Sequence, residues 1–204
     1  MNLFNIGLGA IALWGGAKIS RPSIELKEFQ GRKFRLASKW YSCIPLPRKE
    51  INYLEIGSFH GSSVLSVLET YGRHKNSKLY CIDPWEDYDA YPEYKGENSN
   101  NYDIFMKNIS AHKDKNKIIP IRGYSAKEIP KFQDNFFDMI YVDGNHEQSF
   151  VYEDAMLSFA KLKKGGYLIF DDYDCEGVKL AVDEFQKKYP VRLLFKKKQV
   201  IFQK

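Results

Sequence analysis

Asn52-Tyr53-Leu54-Glu55-Ile56-Gly57-Ser58-Phe59-His60-Gly61-Ser62-Ser63 runs from an apolar strand into a glycine-bearing turn and on into a helix. Glycine lacks a Cβ, so Gly57 and Gly61 let the backbone turn tightly and approach a bound molecule where a side chain would collide. The stretch therefore predicts a ligand-cradling corner of an α/β fold. It does not match two familiar phosphate cradles. A Gly-x-Gly-x-x-Gly fingerprint would need glycine where Glu55 and His60 stand, and a P-loop would need a Gly-Lys-Ser/Thr ending. Glu55 would repel a pyrophosphate and suits a cationic group; the alternative is a structural carboxylate that organises the helix start.

Outward from this corner the pattern becomes regular. Strands are expected at about 51–56, 79–82, 117–121, 137–142 and 167–170, and helices at about 62–72, 101–110, from Ser125, 148–162 and 176–188. Such alternation predicts right-handed crossovers and a mainly parallel sheet. Lys163-Lys164-Gly165-Gly166 reads as a turn, and the runs 191–195 and 200–202 as a terminal antiparallel pair around Lys196-Lys197-Lys198. The 204 residues suit one domain, 49–204, preceded by an appendage, 1–48, that ends at Ile44-Pro45-Leu46-Pro47-Arg48.

Composition bounds the setting. The formal charge of +5 comes largely from scattered lysines, with no basic stripe interleaved with aromatics, which argues against a specific nucleic-acid partner. Cys43, Cys81 and Cys175 lack paired metal-ligand spacing and fit reduced cytoplasm. Met1 to Trp14 is mildly hydrophobic, too short for a stable membrane span and without a basic leader, so a packed helix or lid is expected there, with targeting or membrane-surface use as the alternative.

Each predicted strand ends in a residue with chemistry. Asp83 closes the second strand and can accept both hydroxyl protons of a ribose, or cap a turn. Gly123-Tyr124-Ser125 follows the third and suits a nucleobase edge, with Tyr124 as a cover and Ser125 alternatively a helix cap. The aromatic, acidic connection Pro84 to Asn100 lies where open α/β sheets hold ligands; Trp85, Tyr88, Tyr91 and Tyr94 would cover a substrate or simply bury the loop. Asp143 and Asp171-Asp172 end two further strands, and three convergent carboxylates favour a hard divalent ion such as Mg²⁺; helix capping or a solvent-screened acidic rim is the alternative. His146 suits a base or substrate-orienting group, or else a loop or cofactor contact. His60 reads as a helix-start residue, His74 and His112 as surface residues, and Asp154 as either orienting a neighbour or facing solvent.

With Glu55-x-Gly57-x-x-x-Gly61, Asp83 and Gly123 to Ser125 in place, the chain resembles class I S-adenosylmethionine-dependent methyltransferases over about residues 49–204. The resemblance implies a Rossmann-like α/β fold, a mainly parallel seven-stranded sheet with an antiparallel C-terminal strand. It also implies cofactor contacts from Glu55, Gly57, Ser58, Gly61, Ser63, Asp83, Gly123, Tyr124, Ser125 and Asp143. Tyr141-Val142-Asp143-Gly144-Asn145-His146-Glu147, Asp154 and Phe170-Asp171-Asp172-Tyr173 resemble the metal-dependent macrolide-sugar O-methyltransferase branch. That branch implies metal ligation by Asp143, Asp171 and Asp172, with Asp143 also close to the cofactor's methionine portion; Asp143 and His146 are the catalytic candidates, and a small-molecule or glycan hydroxyl is the expected acceptor. An inactive cofactor-binding module and a metal-dependent hydrolase are the competing expectations, and a homo-oligomer is left open.

Overall fold

A computed structural model describes residues 29–31, 37–86 and 100–204. The expected N-terminal helix or lid and the loop tyrosines Tyr88, Tyr91 and Tyr94 lie outside the described residues. In chain order the elements are β1 Asn52–Ile56, α1 Ser62–Leu68, β2 Lys78–Asp83, α2 Asn101–Ser110, β3 Ile118–Arg122, α3 Ser125–Glu128, β4 Phe137–Val142, α4 Gln148–Lys161, β5 Leu162–Phe170, α5 Glu176–Lys188, β6 Arg192–Lys196 and β7 Val200–Gln203. They form the expected Rossmann-like sheet of seven strands in the order β3-β2-β1-β4-β5-β7-β6. β7 runs antiparallel to β5 and β6, and the remaining pairs are parallel.

Successive strand side chains point to opposite faces, so a sheet covered on both sides needs apolar residues in both registers. Tyr53, Cys81, Tyr141, Ile169 and Ile201 pack with Val64 and Leu65 of α1 and Phe105 of α2. Leu54, Ile82, Ile140, Leu168, Phe170 and Phe202 pack with Val151 of α4 and Phe185 of α5. In α5 the buried residues Val178, Ala181, Val182 and Phe185 form the stripe that faces the sheet. Pro120 cannot donate to a ladder and lies in β3, an edge strand where that loss is tolerated.

Two local expectations are revised. α1 stops at Leu68 instead of running to about 72, where the Thr70 hydroxyl donates to the Ser66 carbonyl and the Gly72 N–H to the Val67 carbonyl. α4 stops at Lys161 and β5 begins at Leu162, so Lys163–Gly166 is no free turn. It is a bulge: β4 advances from Phe137 to Met139 while β5 advances from Leu162 to Tyr167, with Gly165 at φ +81°. Ahead of residue 49, Trp40 and Ile44 are buried in the core of the sheet. The Trp40 indole donates to Gln199 Oε1 and the Tyr71 hydroxyl to the Ile44 carbonyl, both at 3.0 Å.

Candidate active site

β1 pairs with β2 on one side and β4 on the other, so the strand order reverses between β1 and β4. A crevice outside the carboxyl ends of the strands is expected at such a switch point. Hydrogen bonds just past the strands align the candidates along this edge. Gly123 N–H donates to the Asp83 carbonyl, Gly57 N–H to Ile82, Asp143 N–H to Ile56 and Asp171 N–H to Val142, at 2.9–3.1 Å. The parallel register thus sets Gly123, Asp83, Gly57, Asp143 and Asp171 side by side.

Gly57 and Gly61 both adopt φ +83°, the left-handed conformation that favours glycine. A Cβ on Gly57 would stand 2.1 Å from the Asp143 carbonyl oxygen, so glycine is needed for the two strand ends to meet. Asp83 fixes the turn: one carboxylate oxygen accepts the N–H groups of Ser58 and Phe59 at 2.9 and 2.8 Å, the other that of Trp85 at 2.7 Å. Burial raises its pKa while these N–H groups oppose the rise. Phe59 and Trp85 are held at positive φ, +43° and +47°, conformations that persist only when their surroundings over-determine them.

Glu55 is fully buried beneath this turn. Its two oxygens accept the hydroxyls of Ser63 at 2.7 Å and Tyr53 at 2.8 Å. Burial pushes its pKa up to about 7, with the Ser63 and Tyr53 hydroxyls pulling the other way. Both oxygens are thus engaged within the chain. Ser58 and Ser63 are likewise buried on the inner side of the turn.

At the ends of β4 and β5, carboxylate oxygens of Asp143 and Asp172 and a ring nitrogen of His146 lie within 4.8 Å of one another. His146 Nε2 stands 3.4 Å from Asp172 Oδ2. Asp171, expected as a ligand, is engaged differently: its carboxylate accepts the Tyr141 hydroxyl and the Asp172 N–H. Tyr141 also reaches Asp143 Oδ2 at 3.1 Å, so one hydroxyl serves two carboxylates. Burial raises the Asp143 pKa well above the carboxylate range, and the charges of Asp171, Asp172 and Glu55 raise it further. Asp172 is raised by burial and Asp171, against the pull of His146 and Lys198.

Sequence reasoning passed over Tyr141, whose signal was its place two residues before Asp143 and hence on the same strand face. It left Asp154 undecided; Asp154 is buried, accepts a hydrogen bond from Ser125, and is pushed by burial up to about 7. Ser125 thereby joins α3 to α4. Tyr124 is exposed and its hydroxyl donates to Glu86 Oε2 at 3.1 Å. A Cβ on Gly123 would meet the Glu128 side chain at 2.9 Å. His60 is buried and bonded to Asn101 at 2.8 Å, deeper than a plain helix-start residue. His112 lies 3.4 Å from Glu69 and His74 3.7 Å from Glu50. Among the described residues, no helix is long and apolar enough to cross a membrane.

A family model described as a methyltransferase domain matches residues 54–173, from the glycine turn to the second acidic strand end. The chain belongs to this methyltransferase-domain family. An uncharacterized protein of Acanthamoeba polyphaga mimivirus is 31% identical over 130 residues, 62% of this chain and 53% of that protein. The chain thus spans about half the length of this curated relative. Among solved structures, a Corynebacterium glutamicum protein superposes with a TM-score of 0.55 at 15% identity, covering 80% of this chain and 75% of that one. A Staphylococcus aureus protein described as a candidate caffeoyl-CoA O-methyltransferase gives 0.54 at 18%, covering 76% of each chain. Spermidine synthase with the transition-state analogue AdoDATO gives 0.53 at 20%, covering 77% of this chain and 55% of that one. At these identities the superpositions speak for the fold.

Proposed function

We propose that the protein is an S-adenosylmethionine-dependent O-methyltransferase that acts on a hydroxyl of a small molecule or glycan sugar with the help of a divalent cation. The observation that carries this reading is the meeting of Gly57 with Asp143 at the switch point, which sets a tight glycine turn against an acidic cluster. The turn and Asp83 suit the donor: glycine admits close approach, and Asp83 retains one lone-pair site, on Oδ1, for a ribose hydroxyl after accepting three N–H bonds. Asp143 and Asp172 would hold Mg²⁺ or Mn²⁺ through carboxylate oxygens, with Asp171 and Tyr141 orienting them from behind and His146 standing beside them as the base.

When bound, S-adenosylmethionine supplies an electrophilic sulfonium methyl, and a divalent cation supplies positive charge near the acceptor oxygen. The chain's own part is positional. The glycine turn holds the donor side, the β4 and β5 ends hold the acceptor side, and the shared edge brings them into line. His146 would take the acceptor's hydroxyl proton, with Asp172 at 3.4 Å to stabilise the imidazolium. The transfer would make the O–CH₃ bond as the S–CH₃ bond breaks, with S-adenosylhomocysteine as the leaving product and the acceptor's proton on His146.

The test is to measure binding of S-adenosylmethionine and S-adenosylhomocysteine to the purified chain, then transfer of labelled methyl to a panel of sugars and catechols with Mg²⁺, Mn²⁺ or chelator. Binding with metal-stimulated labelling of a hydroxyl is expected. Binding without transfer to any acceptor would favour the inactive module, and cleavage without methyl transfer the hydrolase.

A further inference from the structure

Asn108 of α2 is buried and grips two separate parts of the chain. Its Oδ1 accepts the Gln30 N–H, while its Nδ2 donates to the Gln30 and His60 carbonyls, each at 2.9 Å. A side-chain amide that answers both the N–H and the C=O of one residue does what a neighbouring strand would do. The strap Phe29–Gly31 is thereby tied to the middle of the glycine turn.

Independent contacts bind the same two pieces. Gly31 adopts φ +92° and lies so close to His60 that a Cβ would stand 2.0 Å from Nδ1. The His60 ring stacks on Phe59 at 3.7 Å and its Nε2 is bonded to Asn101 of α2. The Phe59 carbonyl accepts the Trp85 indole N–H at 2.8 Å. Phe29 packs on the cluster that includes Phe105 and Ile109 of α2. The left-handed Phe59 is strained, and Asn108 is one of the groups that hold the turn around it.

We propose that Asn108 is a positioning residue for donor binding: it docks the strap Phe29–Gly31 on the glycine turn, so that docking of the strap and binding of the methyl donor are thermodynamically linked. This rests on the donor reading above. Linkage is reciprocal, so the donor product must tighten the strap as much as the strap tightens the donor product.

The full-length chain is titrated with S-adenosylhomocysteine by calorimetry, and exchange of the Gln30 amide is followed with and without it. Asn108→Ala and Gly31→Val are each expected to weaken binding about ten-fold, with the ligand slowing Gln30 exchange in wild type and not in Asn108→Ala. Exposed Ser110→Ala serves as the control and binds as wild type. If Asn108→Ala does not fold, Gly31→Val decides, because its change lies on the strap. Affinity within two-fold of wild type in a folded Gly31→Val, or Gln30 exchange indifferent to ligand, overturns the proposal. Wild type that binds no S-adenosylhomocysteine overturns the donor reading and this proposal together, whereas wild-type binding left intact by the variants overturns the linkage alone.

Discussion

The glycine corner and the acidic corner meet at one sheet edge and are built on opposite terms. At the first, Asp83 is surrounded by three backbone N–H groups, and the carbonyls of Phe59 and His60 have named donors. These backbone groups are answered from within the chain. At the second, Asp143, Asp171 and Asp172 crowd one another, with a single tyrosine hydroxyl between two of them and a half-exposed histidine beside the third. The first corner is tied together before any ligand arrives, whereas the second gathers like charges that a cation would relieve.

The sharpest way to break the contrast is at the contact between the corners. Gly57→Ala would place a Cβ 2.1 Å from the Asp143 carbonyl at φ +83°. We expect a loss of roughly 3 kcal/mol in stability, read by urea denaturation, together with a hundred-fold or greater loss of S-adenosylhomocysteine affinity. Wild-type behaviour in both assays would mean that the corners do not depend on that approach.

The interior of the glycine corner is tested by pH. Glu55 titrates near 7 in the folded chain against an ordinary 4.5. Between those values the folded state binds more protons than the unfolded one, so this group's contribution to stability falls as pH rises from about 4.5 to 7 and then levels off. Glu55→Gln should flatten the stability profile by about 1.4 kcal/mol per pH unit across that window. An unchanged slope in denaturation series from pH 5 to 8 would mean that Glu55 is ionised at no cost in the fold.

The acidic corner is tested by its response to cations. Mg²⁺ or Mn²⁺ at a hundred times its Kd should stabilise wild type by about 2.7 kcal/mol, and the double variant Asp172→Asn, His146→Ala should lose that response while S-adenosylhomocysteine affinity stays within three-fold. Without metal, Asp172→Asn alone should be slightly more stable than wild type, by up to about 1 kcal/mol, through relief of like-charge repulsion. A metal response that survives the double variant would place the cation elsewhere.

The strand ends were readable because each apolar run stops at Gly57, Asp83, Asp143 or Asp171, and period-two patterning needs no tertiary information. The grouping at the second corner was less readable. Asp171 and Asp172 are neighbours in sequence, yet Asp172 turns to φ +47° and its carboxylate goes to His146, while that of Asp171 goes to Tyr141. Asp154 read as undecided because helical position alone does not say that Ser125 lies opposite. Asn108 drew no attention because its partner Gln30 is 78 residues away.

Taken alone, the order of residues determined the α/β class, the parallel core, the glycine turn and the acidic strand ends, since each follows from local period or from the backbone freedom of a single residue. Tertiary structure decided which carboxylate faces His146, that Glu55 is sealed beneath the turn, and that Phe29–Gly31 lies on His60. These depend on contacts between distant segments, where burial and geometry select one partner among several that the local sequence allows equally.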